Sequence, residues 1–232
     1  MSRKSVKTEL FYNNFAVEFD SRMNKYDLQR RLDIVFNKLL PKSIAGKRLL
    51  DAGCGTGHFS QQAVKKGARV TSMDIGENLL EKVSEKCNSE RVVGSVLDMQ
   101  FEDNYFDFII SSEVIEHTNA PYKAIGELYR VLKPNGILAL TVPNQFWKWS
   151  CVLANTLKIR PYEGIENWVG YSGLKRELEA AGFSILHYRG FHLLPFQINF
   201  LHPFLLFMDK FGDKAGMIYI NIATSCTKQS QQ

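Results

Sequence analysis

The chain of 232 residues is 45% hydrophobic and 23% charged, with a formal net charge of +5, values that are ordinary for a globular protein. It contains no run of about 18 apolar residues and no aromatic-plus-basic stripe, so we expect neither a transmembrane helix nor nucleic-acid binding. The four cysteines form no CxxC pair, which argues against a zinc site or a disulfide framework. Because no charged-then-apolar leader is visible, the sequence favours a cytoplasmic protein.

Predicted helices and strands alternate through the first half of the chain. Apolar residues recur at helical spacing from Phe11 to Leu40, and Pro41 ends that segment. The next segments are the strand RLLDAG, the helix HFSQQAVKKG ending at Gly67, the strand ARVTSMDIG and the helix ENLLEKVSEKC. Two further strands, RVVGSVLDM and YFDFIISSEV, follow, and the first of them is predicted to stop at Asp98.

The second half continues the alternation with two interruptions. NAPYKAIGELYRVL is predicted to be a helix with Asn119 as its N-cap and Pro121 in its first turn. The turn KPNG, the strand ILALTVPN, the helix YSGLKRELEAAGF and the strands SILHYRGF and MIYINIATSCTK come next. Two aromatic-rich segments, 145–170 and 191–215, do not fit the pattern and are interpreted as insertions. The alternation predicts a mainly parallel α/β sheet covered by helices on both faces.

The glycine-rich stretch LLDAGCGTGHF directly follows the first predicted strand. A dinucleotide-binding loop reads G-x-G-x-x-G/A, but after Gly53 and Gly55 the third small position holds His58, and Gly57 comes one residue early. Asp51 would repel a pyrophosphate, whereas its carboxylate suits a ligand with cationic groups. S-adenosylmethionine has such groups, an ammonium and a sulfonium. The loop therefore favours this methyl donor over a nicotinamide dinucleotide.

Acidic residues stand at the ends of three successive predicted strands. Asp51, Asp74 and Asp98 would meet in one crevice, because ligands of such sheets bind at the carboxyl ends of the strands. Asp74 can accept both hydroxyls of a ribose. Asp98 can accept an adenine amino group, and Met99 can pack on the ring. Ile75, the residue after Asp74, is also predicted to contact the cofactor.

Several segments together resemble the class I S-adenosylmethionine-dependent methyltransferases: LLDAGCGTG, VTSMDIGENLLEKV, GSVLDMQFEDNYFDFIISSEVIEH and LKPNGILALTVPN. The resemblance is close over residues 47–144. Through SSEVIEH it is strongest to the branch that includes the ubiquinone-biosynthesis O-methyltransferases. It implies a Rossmann-like, seven-stranded, mostly parallel sheet whose last strand is antiparallel. It also implies S-adenosylmethionine as the cofactor.

In such enzymes the N-terminal helices cover the cofactor. The resemblance implies that Tyr12, and either Arg22 or Arg31, reaches the methionine carboxylate, without choosing between the two arginines. We predict a single domain, residues 1–232. Its parts are an N-terminal helical lid (1–44), a cofactor-binding core (45–144) and an acceptor-side half (145–232) with insertions at 145–170 and 191–215.

The candidates for catalysis lie in EVIEH, just past the fourth predicted strand. His117 could be a general base for the acceptor, or it could stack near the adenosine or cap the helix near Asn119. Glu113, Glu116 and His117 could also bind a divalent metal, a role that the ubiquinone branch implies by resemblance. Glu113 is more readily placed near the methionine end of the cofactor.

The aromatic insertions admit three interpretations: core packing, a roof over an apolar acceptor, or shallow insertion at a membrane surface. We expect an enzyme that methylates a small molecule, at an oxygen of an aromatic or lipid-like metabolite. Methylation at nitrogen or carbon of a sugar, an amine or an isoprenoid, and a catalytically inactive cofactor-binding module, stay open as alternatives. The sequence favours no particular oligomeric state.

Overall fold

A computed structural model describes residues 18–156, 166–197 and 199–229 of the chain. Tyr12, which the family resemblance places near the methionine carboxylate, lies outside these residues, and so does the side chain of Arg22. Among the residues that are described, no helix combines the length and the apolar content needed to cross a membrane. The division into lid, core and acceptor-side half stays a prediction.

A twisted sheet forms the centre of the described fold. Its strands are β1 (Arg48–Ala52), β2 (Arg69–Asp74), β3 (Glu90–Val93), β4 (Phe106–Ser112), β5 (Leu132–Pro143), β6 (Phe183–Phe191) and β7 (Asn221–Lys228). They are arranged in the order β3-β2-β1-β4-β5-β7-β6. β1 to β5 are parallel to one another, whereas β7 runs antiparallel to both β5 and β6. The predicted sheet, including its antiparallel last strand, is confirmed.

Helices flank the sheet. They are α1 (Phe19–Arg22), α2 (Lys25–Ile34), α3 (His58–Lys65), α4 (Glu77–Lys86), α5 (Pro121–Val131), α6 (Lys148–Thr156), α7 (Tyr171–Ala180), α8 (His202–Met208) and α9 (Gly212–Ala215). Asn24 caps α2 by accepting a hydrogen bond from the backbone N–H of Asp27 at 3.0 Å. A π-helical turn, Val35–Leu39, extends α2 towards Pro41.

Both faces of the sheet are buried, because neighbouring residues of a strand point to opposite faces. Leu50 and Ile109 belong to the apolar cluster that includes α5 and α7. Leu49 and Ile110, one residue away in each strand, belong to the cluster formed with α2 and α3. The edge of the sheet at the carboxyl ends of the parallel strands is therefore where a ligand can reach the chain.

The third strand is shorter than predicted, and the prediction that it stops at Asp98 is wrong. β3 ends at Val93, and the N–H of Gly94 then donates to the carbonyl of Asp74 at 2.9 Å. A tight turn follows, closed by a hydrogen bond from the N–H of Asp98 to the carbonyl of Ser95 at 3.1 Å. The apolar residues of this turn are buried in the core, which explains why they resembled a strand in the sequence.

Three other boundaries differ from the prediction. The N-cap of α5 is Ala120 rather than Asn119, although Pro121 does lie in the first turn. KPNG is a loop within β5 and not a turn before it, because Leu132 pairs with Phe106 and Ile137 with Phe108. The last strand is shorter than MIYINIATSCTK, since a 3₁₀ turn occupies Gly216–Ile218.

Candidate active site

The carboxyl ends of β1, β2 and β4 border a cavity of about 350 Å³, a volume within the usual range of ligand pockets. The predicted site residues that line it are Asp51, Gly53, Gly55, Asp74, Ile75, Glu113 and His117. Residues from three separate parts of the sequence thus meet there. Gly57, Asp98 and Met99 do not line the cavity.

The glycine loop after β1 needs glycine at two positions for different reasons. Gly53 has a φ of +76°, and a Cβ built there would lie 2.4 Å from Cγ1 of Val114. Gly57 has a φ of +85°, and its Cβ would lie 2.9 Å from Cγ2 of Val83 on α4. Gly53 therefore lets the loop approach the segment after β4, at the cavity wall. Gly57 instead lets the start of α3 pack against α4, and its role as a cofactor contact stays a prediction.

Asp74, the last residue of β2, holds two loops at the cavity. Its Oδ2 accepts the N–H of Gly55 at 2.9 Å, and its Oδ1 accepts the N–H of Gly76 at 2.9 Å. Burial raises the pKa of Asp74, while the backbone hydrogen bonds act in the opposite direction. Each carboxylate oxygen has a further lone pair, so the side chain can still accept hydroxyl groups of a ligand.

Asp51 is almost completely buried, at 2% exposure, and still contributes to the cavity wall. The hydroxyl of Ser60 donates to its Oδ2 at 2.6 Å, and Ser60 Oγ also lies 2.7 Å from Ser72 Oγ. Burial raises the pKa of Asp51 to about 7, despite the lowering effect of Ser60. The carboxyl group therefore changes charge near neutrality, and a cation in the cavity would favour its ionised form.

Glu113 follows β4 directly and has a φ of +57°, a conformation that is uncommon for residues other than glycine. Its Oε2 accepts a hydrogen bond from Asn221 Nδ2 at 3.0 Å, and its Oε1 has no hydrogen-bond partner among the described residues. Burial raises the pKa of Glu113 to about 7, while the charge of Arg31 acts to lower it. A buried oxygen without a partner at the cavity wall suits a ligand that donates hydrogen bonds.

Glu116 and His117 lie together in a 3₁₀ turn, Ile115–His117, but in different environments. Glu116 is buried away from the cavity, and burial together with the nearby charge of Glu113 raises its pKa well above the ordinary value. His117 lines the cavity, and its side chain is 24% exposed. His117 Nε2 lies 3.8 Å from Glu116 Oε1, within ion-pair range but beyond hydrogen-bond distance.

The alternative of a metal bound by Glu113, Glu116 and His117 does not fit this geometry. No three His, Cys, Asp or Glu side chains in the described part of the chain are placed to hold a metal ion. Glu113 Oε2 is engaged by Asn221, and Glu116 is buried outside the cavity lining. Glu113, Glu116 and His117 therefore do not converge on a common metal position.

The start of the described chain covers the glycine loop. Phe19 of α1 lines the cavity, and its neighbour Asp20 accepts hydrogen bonds from Thr56 Oγ1 at 2.6 Å and Lys86 Nζ at 2.6 Å. His58 Nε2 also lies 2.9 Å from Asp20. Burial acts to raise the pKa of Asp20, but these contacts outweigh it and lower the pKa to about 2. Asp20 is an additional residue of this region that was not among the predicted site residues.

Arg31, one of the two predicted candidates for a carboxylate contact, lies on α2 and lines the cavity. Its guanidinium donates to Asp27 Oδ2 at 2.9 Å and approaches Ser112 Oγ at 3.4 Å. Asp27 Oδ1 in turn lies 3.2 Å from Nε2 of the fully buried His192. Asp27 lies one helical turn before Arg31, whereas His192 is distant in sequence, and neither was singled out as part of this cluster.

Asp98 and Met99, the predicted adenine contacts, lie outside the cavity lining. Asp98 is exposed, and Met99 is buried in the core with its N–H bonded to Glu127 Oε2 at 2.8 Å. Gly94, Ser95 and Val96 line the cavity in their place. This correction follows from the end of β3 at Val93, because the chain turns into the cavity before it reaches Asp98. Gly94 within the predicted strand was the available signal, since an isolated glycine in a strand pattern often marks such a break.

Comparison with known proteins shows which proteins this fold and site resemble. Residues 50–140 match the family described as methyltransferase domain. A malonyl-[acyl-carrier protein] O-methyltransferase of Pectobacterium atrosepticum is 32% identical over 114 residues, which cover 49% of this chain and 45% of that protein. A demethylmenaquinone methyltransferase of Staphylococcus aureus is 27% identical over 209 residues, covering 78% of this chain and 86% of that protein. The structure of an S-adenosylmethionine-dependent methyltransferase of Thermotoga maritima superimposes with a TM-score of 0.69 at 18% identity, covering 97% and 98% of the two chains.

The chain spans less than half the length of the first curated relatives that it matches. The matched segment nevertheless contains the glycine loop, Asp74 and the turn Ile115–His117. The structural likeness covers nearly the whole chain and shows the fold. Residues 50–140 therefore resemble the methyltransferase domain family, and the described fold is similar to that of an S-adenosylmethionine-dependent methyltransferase.

Proposed function

We propose that the chain transfers a methyl group from S-adenosylmethionine to a small molecule, at an oxygen of an aromatic or lipid-like metabolite. One observation carries this proposal: a single cavity joins the glycine loop and Asp74 to the side chain of His117. Methyl transfer is an in-line displacement, which requires donor and acceptor in the same enclosed space. The name of one relative, an O-methyltransferase, supports transfer to oxygen.

The residues of the cavity fit the proposed cofactor. Gly53 brings the glycine loop close to the segment after β4 at the cavity wall, and Asp74 keeps acceptor capacity for the two ribose hydroxyls. Asp51 and Glu113 present carboxyl groups that ionise near neutral pH, which suits the cationic groups of S-adenosylmethionine. Ile75 adds apolar wall. When bound, S-adenosylmethionine supplies an electrophilic methyl group on its sulfonium.

His117 is the proposed general base. In this role its imidazole would accept the proton of the acceptor hydroxyl as the methyl group passes from the sulfonium sulfur to the oxygen, which would leave a neutral thioether. General-base catalysis of this kind contributes about 10²–10⁴-fold to a rate. Met23, Leu28 and Val114 give the cavity an apolar wall, which supports an aromatic or lipid-like acceptor.

The cofactor part of the proposal is tested by thermal-shift and calorimetric titration. S-adenosylmethionine and its demethylated product are expected to stabilise the protein, whereas NAD is not. Asp74→Ala should weaken binding at least about tenfold, because a buried acceptor is lost. Asp98→Ala is the matched control, since Asp98 is exposed and outside the cavity lining. Stabilisation by NAD alone, or equal affinities for the two variants, would contradict this assignment.

The acceptor part is tested with methyl-labelled cofactor and a fractionated extract of metabolites and lipids. The label is expected in a fraction of aromatic or lipid-like compounds, in an ether or ester linkage. With the acceptor identified, His117→Ala should lower kcat/KM about 10²–10⁴-fold and leave cofactor affinity unchanged. His187→Ala, an exposed histidine on β6, is the matched control. Full turnover by His117→Ala would remove His117 as the base.

A further inference from the structure

The side of the molecule formed by residues 146–153 and 200–218 exposes an unusual amount of apolar surface, and we call it the aromatic face. Phe200 is 81% exposed, Trp149 57% and Phe207 52%. Phe146, Phe204 and Met217 are exposed beside them. Exposed apolar side chains that occur singly need no explanation, but a set concentrated in two segments marks an interaction surface.

The two segments form one continuous surface. Trp147 Nε1 donates to the carbonyl of Ile218 at 2.9 Å, and Asn144 Nδ2 donates to the carbonyl of Met217 at 2.8 Å. The hydroxyl of Tyr219 donates to the carbonyl of Met208, the last residue of α8, at 2.6 Å. These bonds tie the segment around α6 to the segment around α8. The exposed aromatic side chains are therefore presented by a connected framework and not by independent loops.

The uncompensated charge of the aromatic face is positive. Lys148, Lys210 and Lys214 are exposed within its two segments. The acidic residues there are neutralised: Asp209 is buried against Arg30 at 2.7 Å, and Asp213 pairs with Arg189 at 3.5 Å. Lys210 Nζ lies 5.4 Å from the centre of the Phe207 ring. Aromatic side chains interleaved with lysines are the composition of surfaces that lie in the headgroup region of a bilayer.

The aromatic face also adjoins the helix that covers the cavity. His202, at the start of α8, stacks on Tyr26 of α2 with ring centroids 3.6 Å apart. Leu28 and Arg31 of the same helix α2 line the cavity. A surface bound by the aromatic face would therefore lie next to the wall of the site.

We propose that the aromatic face binds the surface of an anionic phospholipid bilayer, with its aromatic side chains at the acyl boundary and its lysines among the headgroups. Lysine side chains can extend to the phosphates while their methylene chains stay beside apolar groups. Charge complementarity favours this occupant over a second copy of the chain, because two copies would bring like-charged lysines together. Binding to a bilayer does not require methyl transfer, so this proposal and the proposed function can be tested independently.

The test is flotation of the full chain with vesicles of phosphatidylcholine alone and of an equimolar mixture with phosphatidylglycerol. We expect binding to the anionic vesicles, with a blue shift of tryptophan fluorescence. Trp149→Ser and Phe207→Ser should each weaken binding at least about tenfold, since large apolar groups no longer enter the interface. Leu186→Ser, an exposed apolar residue on β6 outside both segments, should leave binding unchanged. Because all three positions are exposed, the variants are expected to fold.

Charge is tested with Lys210→Glu and Lys214→Glu, each of which should lower the affinity for anionic vesicles at least about fivefold. Lys65→Glu, at the exposed end of α3, is the matched control. Sedimentation of the protein without vesicles tests whether the aromatic face binds a second copy of the chain instead. No binding to anionic vesicles, equal binding to both vesicle types, or a dimer that Trp149→Ser and Phe207→Ser dissociate would overturn the proposal.

Discussion

Replacing Gly53 with alanine would place a methyl group where the glycine loop meets the segment after β4. The left-handed backbone of Gly53 costs an alanine about 1–2 kcal/mol. The new Cβ would also lie 2.4 Å from Val114 Cγ1 and 2.5 Å from Val114 Cγ2, and overpacking of this kind costs about 1–3 kcal/mol more. We therefore expect Gly53→Ala to lower the free energy of unfolding by about 2–5 kcal/mol.

Gly46 provides the matched control. It has a φ of +72°, similar to that of Gly53, but nothing lies within 4 Å of a Cβ built there. Gly46→Ala should therefore show the backbone cost alone, and both variants share the same small gain of roughly 0.4–1 kcal/mol from a less flexible unfolded chain. The difference between the two variants isolates the contact with Val114.

Urea unfolding of the two variants, with calorimetric titration of S-adenosylmethionine, measures the effect. Gly53→Ala should be the less stable variant by about 1–3 kcal/mol, and it should also bind the cofactor more weakly because the loop is displaced. Adding Val114→Ala should recover part of the stability of Gly53→Ala and none of that of Gly46→Ala. Equal stabilities of the two single variants would refute the close contact.

Further predictions concern charged groups. Arg31→Met should lower the free energy of unfolding by about 3–5 kcal/mol in urea titrations, because it leaves the carboxylate of Asp27 buried without its guanidinium partner. The depressed pKa of Asp20 means that its contacts stabilise the fold above the ordinary value of 3.8, and this contribution disappears as the pH falls through about 2. Asp20 is half-exposed, so Asp20→Asn should remove less than about 1 kcal/mol at neutral pH and flatten the acid limb of the stability profile. Calorimetry should show that affinity for cationic S-adenosylmethionine rises as the pH rises through about 7, where Asp51 ionises. Asp51→Asn should weaken that dependence without abolishing it, since Glu113 ionises in the same range.

Features encoded within a few residues were predictable from the sequence. The glycine loop requires a particular turn, and Asp74 stands at the end of one strand. Their positions at the site could therefore be predicted from the residues next to them. The seven-stranded sheet was also predicted, because alternating strands and helices admit few topologies and the family resemblance selects one of them.

Features that depend on distant residues were not predictable. Asp20 contacts Lys86 across 66 positions of the chain, and no local pattern distinguishes it from any other acidic helix residue. Asp98 was misplaced because buried apolar residues in a turn resemble a strand when only their composition is visible. The sequence also could not distinguish Arg31 from Arg22 as the contact of the methionine carboxylate. The fold places Arg31 in the cavity lining, which no local pattern shows.

The position of β7 has a consequence for the order in which the protein is completed during synthesis. β6 has β7 as its strand partner in the described sheet, and β7 fills the gap between β5 and β6. The edge of β5 therefore stays open until β7 has left the ribosome, which leaves a strand unpaired while the chain is being synthesised. Asn221, the first residue of β7, donates to Glu113 at the cavity wall. This contact at the candidate active site therefore cannot form before β7 has been synthesised.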